Sequence, residues 1–291
     1  MTLPRFEYLA PTSVEEASSL LMEKGEDACI VAGGTDLLIK MRHGQLRPSA
    51  VIGLKRIKGL DCISFSKKQG LVIGATALLA DVASHPDILK KYPAVAYAAS
   101  KTANVQIRNM GTVAGNLCNA APSAENAPVL IAMGAEVTLL GREGERRLLL
   151  DRFFRGPGLT ALYPGEILTS IRVPLPPPKS GTSYHHISAR GKVDISAVGV
   201  GVLATMEGKT CKHAVIVMGA VAATPIHASN AERLIRGKEL TPGLMKEAGI
   251  LASREARPIS DVRASADYRR KMVAVLTKRA LAEAGKMAQG R

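Results

Sequence analysis

Two short glycine-bearing segments are the parts of this sequence whose residue types and spacing could do chemistry. The first reads Ala-Gly-Gly-Thr-Asp over 32–36, and the second reads Gly-Thr-Val-Ala-Gly-Asn over 111–116. Because glycine has no Cβ, its main-chain amide can approach an anion closely, and threonine, aspartate and asparagine side chains hydrogen-bond phosphate or ribose. One Gly-Gly-Thr segment alone is more often only a turn. The pair, with the polar run Gln-Ile-Arg-Asn over 106–109 before the second segment, predicts a site for the two phosphates of a dinucleotide.

Other kinds of catalytic site are not indicated. The patterns GxSxG, GxxxxGK[ST] and GxGxxG are absent, and no Ser-His-Asp set or pair of carboxylates stands out. The four cysteines are scattered without a CxxC pair, and no two histidines have the spacing of zinc ligands on a helix. We therefore expect a chain that binds a cofactor and has neither a catalytic side chain nor a metal ligand of its own.

Composition and charge restrict the class of protein further. The 291 residues are 46% hydrophobic and 22% charged, which is typical of a globular protein with a large core. A net charge of +14 suits a polyanionic partner, but the basic residues are spread along the chain, and there is no Trp to stack on bases. No apolar run approaches the roughly 18 residues of a membrane span, and no basic-then-apolar leader begins the chain. We expect a soluble, cytoplasmic protein without a nucleic-acid partner.

The local pattern places the first glycine segment at the end of a strand. Ser13 followed by Glu16 is typical of a capping box, and the apolar spacing after it predicts a helix over 13–24. The apolar residues 28–32 predict a strand, Thr35 is expected to cap a short following helix, and residues 50–54 predict a second buried strand. Ligands commonly bind at such carboxyl ends of strands.

Further along, the pattern predicts more strands and helices on both sides of a domain boundary. Hairpins are expected over 63–74 and 135–150, and a structured loop over 106–116. Helices are expected over 81–84, 93–103, 125–133, 228–235, 242–254 and 266–286, and long strands over 194–206 and 211–222. The proline-rich run at 174–178 marks the boundary, giving a domain over 1–176, with subdomains of about 1–58 and 59–176, and a second domain over 183–286.

The two glycine segments also carry a family resemblance. The stretch Val-Ala-Gly-Gly-Thr-Asp-Leu-Leu over 31–38, with the stretch from Gln106 to Pro128, resembles the FAD-binding medium subunit of the molybdenum hydroxylases, a family that includes xanthine and carbon-monoxide dehydrogenases. The resemblance covers essentially the whole chain. It implies an α+β fold, in which a vanillyl-alcohol-oxidase/p-cresol-methylhydroxylase type FAD-binding domain of two α/β subdomains precedes a smaller domain with an antiparallel sheet and helices.

The resemblance also implies which residues hold FAD. The first segment would wrap the pyrophosphate, the second would approach it from the other side, and Glu125 would bond ribityl or ribose hydroxyls. His186 stands where the family usually has Lys or Arg, and Ile195 would cover one face of the flavin ring. The cofactor-binding residues so implied are Val31, Ala32, Gly33, Gly34, Thr35, Asp36, Leu37, Thr102, Ala103, Gly111, Thr112, Gly115, Asn116, Glu125, Leu168, His186, Asp194 and Ile195.

Structural roles are expected beside these binding roles. Asp36 is expected to cap the helix after the glycine turn in addition to any ligand contact, and Arg108 and Asn109 are expected to brace the second segment. Cys118 is expected to be a buried small hydrophobe. Ala114 departs from the family's Gly-Gly pattern, so a left-handed backbone there would be strained. No cysteine-rich insertion is present, which argues against the 4-hydroxybenzoyl-CoA reductase branch of the family.

The function that the resemblance implies is electron transfer. The chain would carry FAD and pass electrons from the [2Fe-2S] clusters of a small partner subunit to NAD or another acceptor, while a large molybdopterin-binding subunit oxidises the substrate in a heterotrimeric unit. Two alternatives stay open: a self-sufficient FAD-dependent oxidase of the vanillyl-alcohol-oxidase type, and a non-enzymatic basic binding module.

Overall fold

The first part of the chain forms a small parallel sheet whose strand ends define one side of the site. A computed structural model of the protein describes residues 2–191 and 195–290. The elements of this part are β1 (Glu7–Leu9), α1 (Val14–Lys24), β2 (Ala28–Val31), α2 (Leu37–Arg42) and β3 (Ala50–Gly53). The three strands are parallel in the order β1-β3-β2. The predicted helix and both predicted strands are confirmed, and the Ser13 Oγ accepts from the amide of Glu16 as a capping box requires.

A five-stranded antiparallel sheet together with several helices forms the next part. Its elements are β4 (Ile63–Ser66), β5 (Gly70–Gly74), α3 (Leu79–Ser84), α4 (Pro86–Lys91), α5 (Pro93–Lys101), α6 (Val105–Arg108), α7 (Val113–Cys118), α8 (Asn126–Ala132), β6 (Glu136–Gly141), β7 (Gly144–Leu149), β8 (Phe154–Gly156), β9 (Leu159–Thr160) and β10 (Ile167–Val173). The strand order is β4-β5-β10-β6-β7, and β8 pairs with β9 separately. Both predicted hairpins are present. The prediction missed α4 and β10, and β10 is the central strand of the sheet.

The last part is an antiparallel sheet covered by helices, as the α+β prediction for this region required. Its elements are β11 (Ser180–Ser188), β12 (Ser196–Glu207), β13 (Thr210–Gly219), β14 (Ile226–His227), α9 (Ser229–Ile235), β15 (Lys238–Glu239), α10 (Pro242–Glu255) and α11 (Ala266–Gln289). The long strands pair in the order β11-β12-β13-β14, and β15 pairs with β13. The three predicted helices are present with small differences at their ends, whereas β11 was not predicted as a strand.

Helix α8 joins the two antiparallel layers. All seven of its residues are buried, and the core around it includes Tyr184, Leu203 and Val217 from the last sheet. Two glycines allow this close approach, because a Cβ on Gly201 would lie 2.7 Å from the carbonyl carbon of Pro128 and a Cβ on Gly219 would lie 2.7 Å from its ring. The start of α8 therefore packs directly against two neighbouring strands of the last sheet.

None of the helices in residues 2–191 and 195–290 combines the length and the apolar character needed to cross a bilayer.

Candidate functional site

The two glycine segments meet along one wall of a cavity of about 1000 Å³. The contact is direct, because a Cβ on Gly33 would lie 2.2 Å from the carbonyl oxygen of Met110 and 2.7 Å from the Cα of Gly111. Of the sequence-predicted binding residues, all line this cavity except His186 and Asp194. Asp194 lies outside the described residues. The topology thus brings together segments that are almost eighty positions apart in the sequence.

The first segment supplies main-chain donors. It follows β2, which ends at Val31, and turns at Gly34, whose φ of 74° is left-handed and favours glycine. The amides of residues 33–36 donate to no other group in the described part of the chain, and α2 begins directly after them. Unbonded amides before a helix are the arrangement that binds anions. This segment can therefore bind a phosphate without using a charged side chain.

Two capping predictions for this segment are wrong. Neither Thr35 nor Asp36 caps α2 with its side chain, because Asp36 stands at the N-cap position with no side-chain hydrogen bond to the helix amides. Its Oδ1 instead accepts a hydrogen bond from the Nδ2 of Asn119 at 3.1 Å. The backbone explains the difference, since φ and ψ of Asp36 are −96° and −45°, whereas a capping side chain needs the extended backbone of an N-cap residue.

The second segment is more regular than the loop predicted over 106–116, because short helices occupy both of its ends. Thr112 caps α7, and its Oγ1 accepts from the amide of Gly115 at 2.9 Å. Ala114 lies in the first turn of α7 and is not left-handed, so the strain considered for it does not arise. Arg108 braces the segment as expected, donating from Nη1 to the carbonyl of Ala103 at 2.8 Å. That bond holds Ala103 at a left-handed φ of 48°.

A side-chain network orients Asn116 toward the cavity. The Nδ2 of Asn126 donates to the Oδ1 of Asn116 at 3.0 Å and to the Oγ1 of Thr102 at 3.1 Å. Since its oxygen is used as an acceptor, the amide nitrogen of Asn116 is left to donate to a ligand. Sequence reasoning missed Asn126, although an asparagine at the start of an apolar helix, next to Glu125, was a signal that could have identified it.

A second bridge joins the two segments and places a positive charge beside them. Lys40 Nζ donates to the Oδ1 of Asn119 at 2.6 Å, and the other end of the same amide reaches Asp36. Lys40 and Asn119 both line the cavity, and neither was predicted from the sequence. Lys40 lies one turn into α2, which the helical spacing could have revealed. The ammonium group favours an anionic ligand at this wall.

Glu125 is a buried carboxyl group on the cavity lining. It is 5% exposed, and burial raises its pKa to about 7, against the opposing effect of the hydrogen bond from Ser196 and the charge of Lys101. Its Oε1 accepts from the Oγ of Ser196 at 2.7 Å, whereas its Oε2 has no partner in the described part of the chain. A buried acceptor without a partner is costly, so this oxygen is suited to a hydroxyl group of a ligand.

His186 lies behind Glu125 and does not line the cavity. Its Nδ1 is 3.1 Å from the Oγ of Ser196, and its ring stacks on Tyr184 with centroids 5.8 Å apart. Burial and then the charge of Lys101 lower its pKa, which favours the neutral imidazole. The predicted contact between His186 and FAD stays a prediction, since the described contacts connect this ring to the cavity through Ser196 and Glu125.

The donor set of the cavity fits FAD. The diphosphate of FAD needs donors, which the bare amides, the Asn116 amide and Lys40 supply, and its hydroxyl groups need an acceptor, which Glu125 supplies. The cavity volume is at the upper end of that of ligand sites. Cys118 also lines the cavity, and burial raises its pKa to about 12, so the thiol is protonated at neutral pH. No group of histidine, cysteine, aspartate and glutamate in the described residues is arranged to hold a metal ion.

Known proteins resemble this chain over its full length. A family model described as the FAD binding domain in molybdopterin dehydrogenase matches residues 4–176, and one described as the CO dehydrogenase flavoprotein C-terminal domain matches residues 183–284. The carbon monoxide dehydrogenase medium chain of Hydrogenophaga pseudoflava is 34% identical over 283 residues, which are 97% of each chain. The nicotine 6-hydroxylase medium subunit of Paenarthrobacter nicotinovorans is 32% identical over 286 residues, which are 98% of this chain and 99% of that one.

Solved structures agree with these matches. Carbon monoxide dehydrogenase from Hydrogenophaga pseudoflava, in a form that lacks the Mo-pyranopterin moiety, has a chain that superposes with a TM-score of 0.94 at 35% identity, covering 98% of both chains. A chain of quinoline 2-oxidoreductase from Pseudomonas putida 86 superposes with a TM-score of 0.93 at 29% identity, covering 99% of this chain and 100% of that one.

Proposed function

We propose an electron-transfer role for this chain, because it belongs to the family of FAD-binding medium subunits of the molybdenum hydroxylases. The family resemblance and the fold class expected from the sequence are confirmed, and the relatives are subunits of oxidoreductases. In the proposed complex, electrons come from the [2Fe-2S] clusters of a small partner subunit and leave for NAD or another acceptor. A large partner subunit holds the molybdopterin and oxidises the substrate.

One observation carries the proposal: two glycine segments in direct contact offer unbonded amides to a single cavity. In this role residues 33–36 bind the diphosphate from one side, and Thr112, Gly115 and Asn116 bind it from the other. Lys40 balances its charge. When bound, FAD supplies a group that accepts and releases electrons one or two at a time.

The remaining predicted residues would position and cover the cofactor. Glu125 accepts a hydrogen bond from a hydroxyl group, and Thr102 and Ala103 lie at the adenosine end. Leu168, which is 3% exposed, and Ile195, which is 45% exposed, both line the cavity and would contact the flavin ring. In this proposal the chain binds, orients and shields the group that carries the electrons.

The acceptor would approach through a second cavity of about 1090 Å³. It shares Ile195, Arg263 and Ser123 with the first cavity. The two cavities therefore meet at Ile195, the residue proposed to cover the flavin ring. Its lining also includes Arg254 and Arg257, whose positive charges favour an anionic acceptor such as NAD, beside Glu255 and the ion pair of Arg269 with Asp261.

The domain division at 1–176 and 183–286 remains our proposal, and it is supported by family models that end at residue 176 and begin at residue 183. The cytoplasmic location stays a prediction.

The proposal is tested by loading the purified chain with FAD and by isolating the chain with its partners. We expect one FAD per chain, and molybdenum and iron only in preparations that contain companion subunits. The loaded chain alone is expected to oxidise no small alcohol or phenol. Turnover of such a substrate without partners would favour a self-sufficient oxidase. A colourless protein that binds no added FAD and retards DNA at moderate salt would favour a basic binding module.

A further inference from the structure

Three side chains form a hydrogen-bonded row that leads from the cavity toward the surface. Glu125, at the start of α8, bonds through Oε1 to the Oγ of Ser196 at 2.7 Å, and the same oxygen is 3.1 Å from the Nδ1 of His186. Ser196 is 2% exposed and begins β12, whereas His186 is half-buried on β11. The row therefore connects a buried carboxyl group on the cavity lining to an imidazole that solvent can reach.

The donors and acceptors of the row have one consistent direction. The hydroxyl proton of Ser196 is donated to Glu125, so the Ser196 oxygen is left to accept. His186 must then carry a proton on Nδ1 and donate it to Ser196. A proton on His186 is thus separated from the carboxylate by a single hydroxyl group.

We propose that Glu125, Ser196 and His186 form a proton path between solvent and the cavity, an inference that rests on the proposed binding of FAD there. Solvent first protonates His186 at Nε2, which gives an imidazolium. Its Nδ1 proton then moves to the Oγ of Ser196 while the hydroxyl proton of Ser196 moves to the Oε1 of Glu125, leaving His186 neutral with its proton on Nε2 and Glu125 as a neutral acid. Reduction of a flavin takes up protons as well as electrons, and the path would supply them at the cavity wall.

The proton affinities at the two ends of the path suit this transfer. Burial raises the pKa of Glu125 to about 7, and burial also lowers the pKa of His186 from its ordinary value. A carboxyl group with a pKa near neutrality can both accept and release a proton there, as a member of a proton path must. Tyr184 stacks on His186, and burial raises its pKa well above the ordinary value, so its hydroxyl stays neutral.

Charged and titratable groups surround the row on each element packed against it. From α5, Lys101 lowers the pKa of both Glu125 and His186, and the ring of Tyr97 lies 6.5 Å from that of His186. On β11, His185 lies next to His186, and its Nε2 is 2.6 Å from the Oε2 of Glu283 on α11. These groups tune the pKa values of the path, and the Tyr184 hydroxyl, which stays protonated, forms a further hydrogen bond with Ser196 beside the row.

The first test uses the chain without FAD. Infrared titration of the protonated carboxyl band, assigned by its loss in Glu125→Gln, is expected to give a midpoint near pH 7. Ser196→Ala removes a hydrogen bond to the carboxylate, so it should raise that midpoint by about one pH unit. Ser180→Ala is the matched control, because Ser180 is equally buried and its hydroxyl bonds to the Oγ1 of Thr205 on the same sheet, away from Glu125. An unchanged midpoint in Ser196→Ala would overturn the proton path whether or not the chain binds FAD.

The second test follows protons in the FAD-loaded chain. Flavin is photoreduced in weak buffer, and a pH indicator dye records proton uptake. We expect Ser196→Ala and His186→Phe, which keeps a ring on Tyr184, to slow uptake at least tenfold with the same final amount. Ser196→Thr, which keeps the hydroxyl, and Ser180→Ala should match the unmodified chain, and added imidazole should restore the rate in His186→Phe. Unchanged uptake in His186→Phe would refute the path, whereas failure to bind FAD would refute the proposed function.

Discussion

Replacing Gly33 by alanine tests whether the contact between the two glycine segments creates the FAD site. The added Cβ would lie 2.2 Å from the carbonyl oxygen of Met110 and 2.7 Å from the Cα of Gly111. Favourable contacts between heavy atoms begin at about 3.5 Å, so the segments must separate by roughly 1 Å. Both neighbours are main-chain atoms, and no side-chain rotation can relieve the clash. Because Gly33 is not left-handed, the effect isolates this contact from backbone strain.

The expected magnitude follows from the cost of overpacking. Inserting a methyl group into a closely packed position costs about 1–3 kcal/mol. This free energy is lost from the binding-competent arrangement of the two segments. Because each 1.4 kcal/mol is a factor of ten in affinity, FAD should bind about 5- to 150-fold more weakly. The fold itself should survive, because Gly33 lies at the cavity wall and the side chain of its neighbour Met110 is exposed.

The assay is a titration of the FAD-free chain with FAD, followed by flavin fluorescence, together with thermal unfolding. Gly243→Ala is the matched control: its Cβ meets only the Oγ1 of Thr241, at 3.9 Å, and it lies in α10. We expect the control to bind FAD normally and to unfold at the same or a slightly higher temperature. A folded Gly33→Ala chain whose Kd for FAD is within twofold of the unmodified chain would refute this reasoning.

Three further predictions concern Asn119, which hydrogen-bonds both Asp36 and Lys40, and the ion pair of Arg269 with Asp261, which lines the second cavity. Asn119→Ala removes the bridge from Asp36 to Lys40, two hydrogen bonds of about 1 kcal/mol each, so the free energy of unfolding should fall by about 2 kcal/mol, and the Kd for FAD measured by titration should rise because Lys40 is no longer held at the cavity wall; an unchanged Kd contradicts this. Arg269→Met removes a buried guanidinium that donates to the partly exposed Asp261 and to the carbonyls of Ala197 and Ala220, and it should cost about 2–3 kcal/mol, measured by denaturant unfolding; a loss below about 1 kcal/mol contradicts this. The amide of Arg263 and then the Arg269 guanidinium lower the pKa of Asp261 to about 2, so its stabilisation is present above about pH 4 and is lost as pH falls toward 2. Asp261→Asn should flatten that part of a Tm-against-pH profile, and an identical profile would show that the carboxylate does not contribute.

The sequence predicted the parts of the fold that repeat a local pattern. The helix over 13–24 has a cap, a spacing and a glycine stop, and the structure contains it as α1. The two glycine segments were predicted from their residue types, which can bind phosphate, and the chain folds so that the segments touch. The long strands β12 and β13 have runs of apolar residues too long to be missed.

The parts that were missed depend on tertiary contacts. Strand β10 mixes Thr169, Ser170 and Arg172 into its apolar pattern, and only its central place in the sheet gives it strand partners on both sides. Asp36 was expected to cap a helix, but its carboxylate instead accepts a hydrogen bond from Asn119, which lies far along the chain. Asn126 and Ser196 gain their roles from side chains on other elements, which no local pattern records.

The glycines that face Pro128 restrict how this chain can diversify. The last antiparallel sheet packs on helix α8, which follows Glu125, at two positions, Gly201 and Gly219, where any side chain would collide with the main chain or the ring of Pro128. A recombined gene that joined the first half of one relative to the second half of another would need glycine at both positions that face Pro128. With any other residue there, helix α8 would shift and the carboxyl group of Glu125 would be displaced from the cavity. The two halves are therefore expected to be inherited together, even in lineages whose substrates have diverged.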